Sequence, residues 1–279
     1  MNYKIVADSS ADLLELSGCD FAAVPLKIIT DNKEYVDDAA LDLDGMIRDL
    51  ESYKGQSKSS CPNVGDWKSA FGDSDGVFAV TITSGLSGSY NAAKLAMDEY
   101  VAEKEGRQGA VLDTLSAGPE CTLVVEKLRE LISQNLPFAE IEEKIRTYMK
   151  KTHLAFSLDS LRNLANNGRV SKAVAKIAGI LGIRVIGRAS DEGQLEMTDK
   201  ARGPERALSD LYKNMLARGF NGGRVRIHHC RNLAAAQALE KRIRQDFRSA
   251  SVTIAGTRAL CSFYAEAGGL LVGYEAGGI

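Results

Sequence analysis

Four hydroxyls and two glycines stand together in Thr83-Ser84-Gly85-Leu86-Ser87-Gly88-Ser89. The apolar run from Val77 to Ile82 before them reads as a buried strand. Ala92, Ala93, Leu95, Ala96 and Met97 after them read as a helix. Glycine lets a backbone approach a ligand closely. A strand-to-helix turn leaves unpaired N–H groups at the helix start, and these favour an anion. The chemistry suits a carboxylate or a phosphate. The plainer reading is a connecting loop whose Ser and Asn cap the helix.

The same residues have an enzymatic reading. Gly85-Leu86-Ser87-Gly88-Ser89 comes close to the nucleophile elbow G-x-S-x-G, with Ser89 in place of the last glycine. Asp113 or Asp159, then His228 or His229, would complete the order Ser, Asp, His. The chain has three histidines, His153 being the other. A serine hydrolase of acyl esters using Ser87 is therefore the alternative to a binding protein.

Ser57-Lys58-Ser59-Ser60-Cys61-Pro62-Asn63 reads as a loop with a second set of hydroxyl donors. Several neutral donors in a dry pocket satisfy a carboxylate. Gly168-Arg169 and Lys200-Ala201-Arg202-Gly203 put basic side chains in polar loops. Most such arginines are solvated surface, yet the guanidinium also suits carboxylate or phosphate contacts.

The elements that must position these groups belong to an ordinary globular chain. Of 279 residues, 44% are hydrophobic and 26% charged, enough for one large domain or two smaller ones. The formal net charge of −2 gives no field that invites nucleic acid or an anionic membrane. The N-terminus lacks a signal-peptide apolar region, and no apolar run approaches a transmembrane segment. The five cysteines are scattered without zinc or CxxC spacing, so reduced thiols in a cytoplasmic protein are expected. No metal or cofactor is implied.

Strands alternate with helices up to the helix of Phe138, Ile141, Ile145 and Met149, so a parallel sheet covered on both faces is expected. Asp8, at the end of the first strand, reads as an N-cap or as a group facing a pocket. Beyond it, Leu158, Leu161 and Leu164 predict a helix, and Ala173 to Leu181 a second, apolar one. Arg184–Arg188 and Gln194–Thr198 predict a β-hairpin around Asp191-Glu192-Gly193. Further helices and strands then give a mixed α+β arrangement. The expected fold is an N-terminal parallel-sheet, Rossmann-like α/β domain over residues 1–152 and a C-terminal mixed-sheet α+β domain over 153–279.

Six pieces, in order, resemble the DegV family of bacterial fatty-acid-binding proteins. They are Val6-Ala7-Asp8-Ser9-Ser10-Ala11-Asp12-Leu13, Val24-Pro25-Leu26 with Tyr35 and Asp37, and Ser59-Ser60-Cys61-Pro62-Asn63. The others are Thr83-Ser84-Gly85-Leu86-Ser87-Gly88-Ser89-Tyr90, Asn167-Gly168-Arg169-Val170-Ser171 and Lys200-Ala201-Arg202-Gly203. The resemblance covers nearly the whole chain. It implies two α/β domains with a long-chain fatty acid buried between them. It places the carboxylate at Ser59, Ser60, Ser87, Gly88 and Tyr264, and a separate fatty acid kinase as partner. Arg169 and Arg202 are then candidates for the mouth or the partner surface, leaving lipid affinity nearly independent of both. Ile177, Ile180 and Leu181 are candidates for the tunnel wall. Tyr264 stands where the family usually has His, Val185 where Pro is frequent, and Cys61 where Gln is usual. A tyrosine hydroxyl can donate a hydrogen bond but carries no charge near neutral pH.

Overall fold

The computed structural model describes residues 2–171, 174 and 182–277. β1 (Tyr3–Asp8) and β2 (Asp20–Val24) open the chain. A small antiparallel sheet follows, made of β3 (Lys27–Ile29), β4 (Glu34–Val36) and β5 (Lys58–Ser60), with helix α1 (Leu43–Ser52) between β4 and β5. Then come α2 (Val64–Phe71), β6 (Gly76–Thr81), α3 (Ser89–Ala102), β7 (Gln108–Asp113), α4 (Pro119–Ser133) and α5 (Phe138–Met149). The order β2-β1-β6-β7 forms one parallel sheet.

Side-chain alternation covers both faces of that sheet. Ile5, Ala7, Phe78, Val80 and Leu112 pack with α4 and α5. Val6, Val77 and Ala79 pack on the other side with Trp67, Phe71 and Ala96 of α2 and α3. Local signals agree with tertiary packing: Asn63 and Asp66 form a capping box on α2, and Pro119 opens α4.

The second half runs β8 (Thr152–Leu158), α6 (Arg162–Asn166), β9 (Ile183–Ala189), β10 (Leu195–Arg202), α7 (Pro204–Ala217) and β11 (Phe220–His229). It closes with α8 (Leu233–Asp246), β12 (Ser251–Gly256), α9 (Ala259–Ala265) and β13 (Leu270–Ala276). The sheet order is β10-β9-β8-β13-β11-β12, with β11 and β12 parallel and the other neighbours antiparallel. It is the mixed sheet expected, and the β9–β10 hairpin is the one expected.

Four readings change. Lys58–Ser60 is a strand, because β3 pairs with it (Ile28 opposite Ser59) although its own residues carry no strand signature. Lys200 to Arg202 end β10 instead of lying in a loop. Leu158 ends β8, and the helix after it is shorter, Arg162–Asn166. The helix Ala259–Ala265 is additional. The expected helix with Ile177, Ile180 and Leu181 lies outside the described residues.

α4 is the layer between the two larger sheets. One face joins the core of the parallel sheet. The other meets the mixed sheet: Arg226 of β11 forks onto Glu126 at 2.6–3.0 Å, and a Cβ on Gly273 of β13 would lie 2.5 Å from the Glu120 N–H nitrogen. Glu120 is buried there and accepts a hydrogen bond from Thr152 Oγ1 at 2.9 Å.

Burial pushes the Glu120 carboxyl up to about 7, against hydrogen-bonding hydroxyls that pull it down. The native state thus holds an extra proton between the ordinary glutamate range and pH 7. The contribution to stability is full below that range and is lost as pH rises through about 7. Glu120→Gln is expected to flatten the fall in unfolding free energy across this window by up to about 1.4 kcal/mol per pH unit. Urea titrations of both proteins at several pH values check this; parallel pH profiles would refute it.

Candidate functional site

The serine-rich turn is held from below by Asp8. β1 ends in this carboxylate, which is 1% exposed. Asp8 Oδ2 accepts from Ser89 Oγ at 2.6 Å and from Ile82 N at 3.0 Å, while Oδ1 accepts from Ser10 N at 3.2 Å and from Ser10 Oγ. Burial pushes the Asp8 carboxyl up, and these four bonds pull it down. Thr83 then fixes the turn's path. Its Oγ1 donates to Gly193 O at 2.9 Å, and its carbonyl accepts from Leu86 N and Ser87 N, each at 3.2 Å. Ser87 Oγ accepts from Ser89 N at 3.2 Å. Gly88 is the N-cap of α3, and a Cβ there would meet Cys61 Sγ at 3.2 Å. The two hydroxyl-rich segments, far apart in sequence, therefore touch.

Ser59 on β5 exchanges a 2.7 Å hydrogen bond with Tyr264 on α9. Asp37, just past β4, fixes α9 relative to the small sheet. Its carboxylate accepts from Ala259 N at 3.2 Å and Leu260 N at 3.1 Å. Burial pushes this carboxyl up to about 6. Arg169 comes to the same place. Its Nη1 donates to Asn167 O at 2.5 Å, while Asn167 Nδ2 reaches Ser57 O at 3.2 Å. Burial raises the Tyr264 phenol, and the Ser59 bond and the Arg169 charge draw it partly back.

These groups open on a cavity with mostly apolar walls, the kind of lining usual for small-molecule sites. Among its described lining residues, Ser59, Ser87, Arg169 and Tyr264 carry the polar side chains other than the Cys261 thiol. The remaining walls are apolar: Leu26 and Ile82 from the first half, Leu154, Phe156 and Leu158 from β8, Leu260 and Ala265 from α9, and Leu271 from β13. A charged or strongly polar group fits one end, and hydrocarbon fits the rest.

The sequence candidates divide accordingly. Ser59, Ser87, Tyr264 and Arg169 line one cavity. Ser60, next to Ser59 on β5, is not among the lining residues, and its hydroxyl donates to Cys61 O at 3.4 Å; neighbouring strand residues face opposite ways. Gly88 adjoins the site through Cys61 without lining the cavity. Arg169 is half-buried in the wall, because the Asn167 contacts fold its loop inward. Arg202 is exposed on edge strand β10 and absent from the described lining.

Among the described residues, the hydrolase reading finds no histidine or carboxylate in the cavity lining beside Ser87. His228 Nδ1 pairs with Asp12 Oδ2 at 2.7 Å, His229 Nδ1 accepts from Asn232 N at 3.2 Å, and His153 Nδ1 accepts from Arg218 Nε at 3.2 Å. Asp113 Oδ1 accepts from Ser84 N and Leu115 N at 3.1 Å, and Asp159 pairs with Arg184 at 2.9 Å. Among the described residues, no histidine lines the cavity. No His, Cys, Asp and Glu cluster suited to a metal occurs among them. No described helix is long and apolar enough to cross a membrane.

The DegV family model matches residues 2–276. A DegV domain-containing protein of Streptococcus pneumoniae is 43% identical, covering 99% of each chain. A DegV family protein from Eubacterium eligens, solved with heptadecanoic acid, is 44% identical at a TM-score of 0.96, covering 99% of this chain and 100% of that one. The Streptococcus pneumoniae fatty acid kinase (Fak) B3 protein, solved with linoleic acid, is 42% identical at a TM-score of 0.97, with the same coverage.

Proposed function

The chain belongs to the DegV family, and we propose that it is a cytoplasmic, non-enzymatic carrier of one long-chain fatty acid, which it presents to a separate fatty acid kinase. The carboxylate sits at Ser59, Ser87, Arg169 and Tyr264, and the acyl chain lies along the leucine-lined wall. The observation that carries this is the cavity itself: four polar side chains at one end of an otherwise apolar enclosure. The fatty acids in the two similar structures support the ligand class, and the name of the second supports the kinase partner.

Mass spectrometry of lipid extracted from purified protein tests the reading. A stoichiometric long-chain acid is expected, together with no turnover of activated esters. Ester turnover that disappears in Ser87→Ala would establish the hydrolase instead. Each lost hydrogen bond to a charged group removes about 1.5–3 kcal/mol. Ser87→Ala is therefore expected to weaken binding of a delipidated sample roughly tenfold or more, and Ser59→Ala similarly. Titration with a fluorescent acid measures it; unchanged affinity in both variants and in the double variant would remove these serines from the headgroup site.

A further inference from the structure

Two cavities meet at one side chain. A polar cleft lies beside the apolar cavity, lined by parts of α4, α5 and the start of β8. Among the described residues, Leu154 is the one that lines both. Leu158, Phe156, Leu154 and Thr152 share one face of β8, at steps of roughly 6.6 Å. Leu158 and Phe156 face the apolar cavity, Leu154 both spaces, and Thr152 the polar cleft. At its Leu158 end, β8 leads through α6 to Arg169. The strand is thus a track from the arginine end of the cavity, past Leu154, to the Thr152–Glu120 hydrogen bond.

Arg218 is already paired with Asp191 and Arg146 with Glu142, so a second carboxylate here competes for guanidinium groups that are held. Burial pushes His153 down to about 4, which leaves it neutral, and holds the Glu120 carboxyl up to about 7. Beside a carboxyl in that range a neutral hydroxyl finds both an acceptor and a donor.

Resting on the fatty-acid reading above, we infer that the cleft receives the far end of a long acyl chain, and that the ligand class suited to it is a long-chain ω-hydroxy fatty acid whose terminal hydroxyl exchanges hydrogen bonds with Glu120 and Thr152. Leu154 is the partition that such a chain turns aside.

The test is a titration of the delipidated full chain with paired plain and ω-hydroxy acids of increasing length. Where the chain ends inside the apolar cavity, the buried hydroxyl has no partner, and the hydroxy acid is expected to bind roughly tenfold or more weaker than its plain partner. Where the chain passes Leu154, that penalty vanishes. Glu120→Leu brings it back for the long pair, and Leu154→Val shifts the length at which it vanishes. The ratio within each pair is the readout, so a general loss of stability does not imitate the effect. A penalty that persists at every length in the unmodified protein overturns the inference. So does an ω-dicarboxylic acid that outbinds the hydroxy acid. If plain acids do not bind at all, the fatty-acid reading itself falls, and this inference with it.

Discussion

Asp8→Ala is expected to lower folding stability by about 3 kcal/mol or more and to abolish ligand binding, although Asp8 is not among the residues lining the cavity. The carboxylate is the acceptor for Ile82 N, Ser89 Oγ and both donors of Ser10. Each buried donor left without a partner costs about 1–3 kcal/mol. Some of the loss is offset, because the variant no longer holds a desolvated carboxylate. The binding defect has a separate cause. Ile82 and Ser89 bracket the turn that carries Ser87, so releasing both ends frees the turn to move away from the Ser59–Tyr264 pair. Asp8→Asn keeps one acceptor oxygen and should recover part of the stability but little of the affinity, since its amide group meets a donor. Urea unfolding and titration on the same samples check both effects. Full stability and affinity in Asp8→Ala would show that the turn is fixed without this carboxylate.

The role of Asp8 also shows where the sequence is legible. The β1 strand and its terminal cap were readable from local pattern, and the cap is real: Asp8 accepts from Ser10 N. The two bonds that matter for the site, to Ile82 and Ser89, connect residues more than seventy positions apart. No spacing rule announces them. β5 is similar, because Lys58-Ser59-Ser60 has neither alternation nor β-branched residues and is a strand only through β3. α9 lacks a local start signal for the same reason. Arg258 at its N-cap makes no side-chain cap bond, and Asp37 supplies the acceptors from across the fold. The parallel sheet was legible because its apolar runs, Val77 to Val80 among them, are buried on both faces. Motif resemblance singled out Ser59, Ser87 and Tyr264, and the fold brings them to one cavity. It could not separate Ser59 from Ser60, since that depends on the register of a three-residue strand.

Arg169→Ala is expected to weaken fatty-acid binding by about 1.5–3 kcal/mol, roughly ten- to a hundredfold. Read as an exposed loop residue, Arg169 should serve a partner and leave lipid affinity intact. The fold places it otherwise: its guanidinium is half-buried in the cavity wall and close enough to Tyr264 to act on the phenol. A carboxylate beside it would gain a charge-assisted bond in a poorly hydrated space, where screening by salt is weak. Arg169→Lys should recover only part of the affinity, because a flexible point charge replaces the planar fork. Arg202→Ala is the contrasting variant. On the exposed edge of β10, its loss should change affinity by no more than about twofold. Direct titration of the delipidated variants separates the two arginines. If Arg169→Ala binds fatty acid as tightly as the unmodified protein and fails only when acyl-phosphate formation by a kinase is assayed, the guanidinium serves the partner and the headgroup rests on Ser59, Ser87 and Tyr264 alone. If it loses affinity while Arg202→Ala does not, the arginine at the cavity wall is part of the carboxylate site, and the family's histidine position, here Tyr264, has a cation beside it that the tyrosine itself cannot provide.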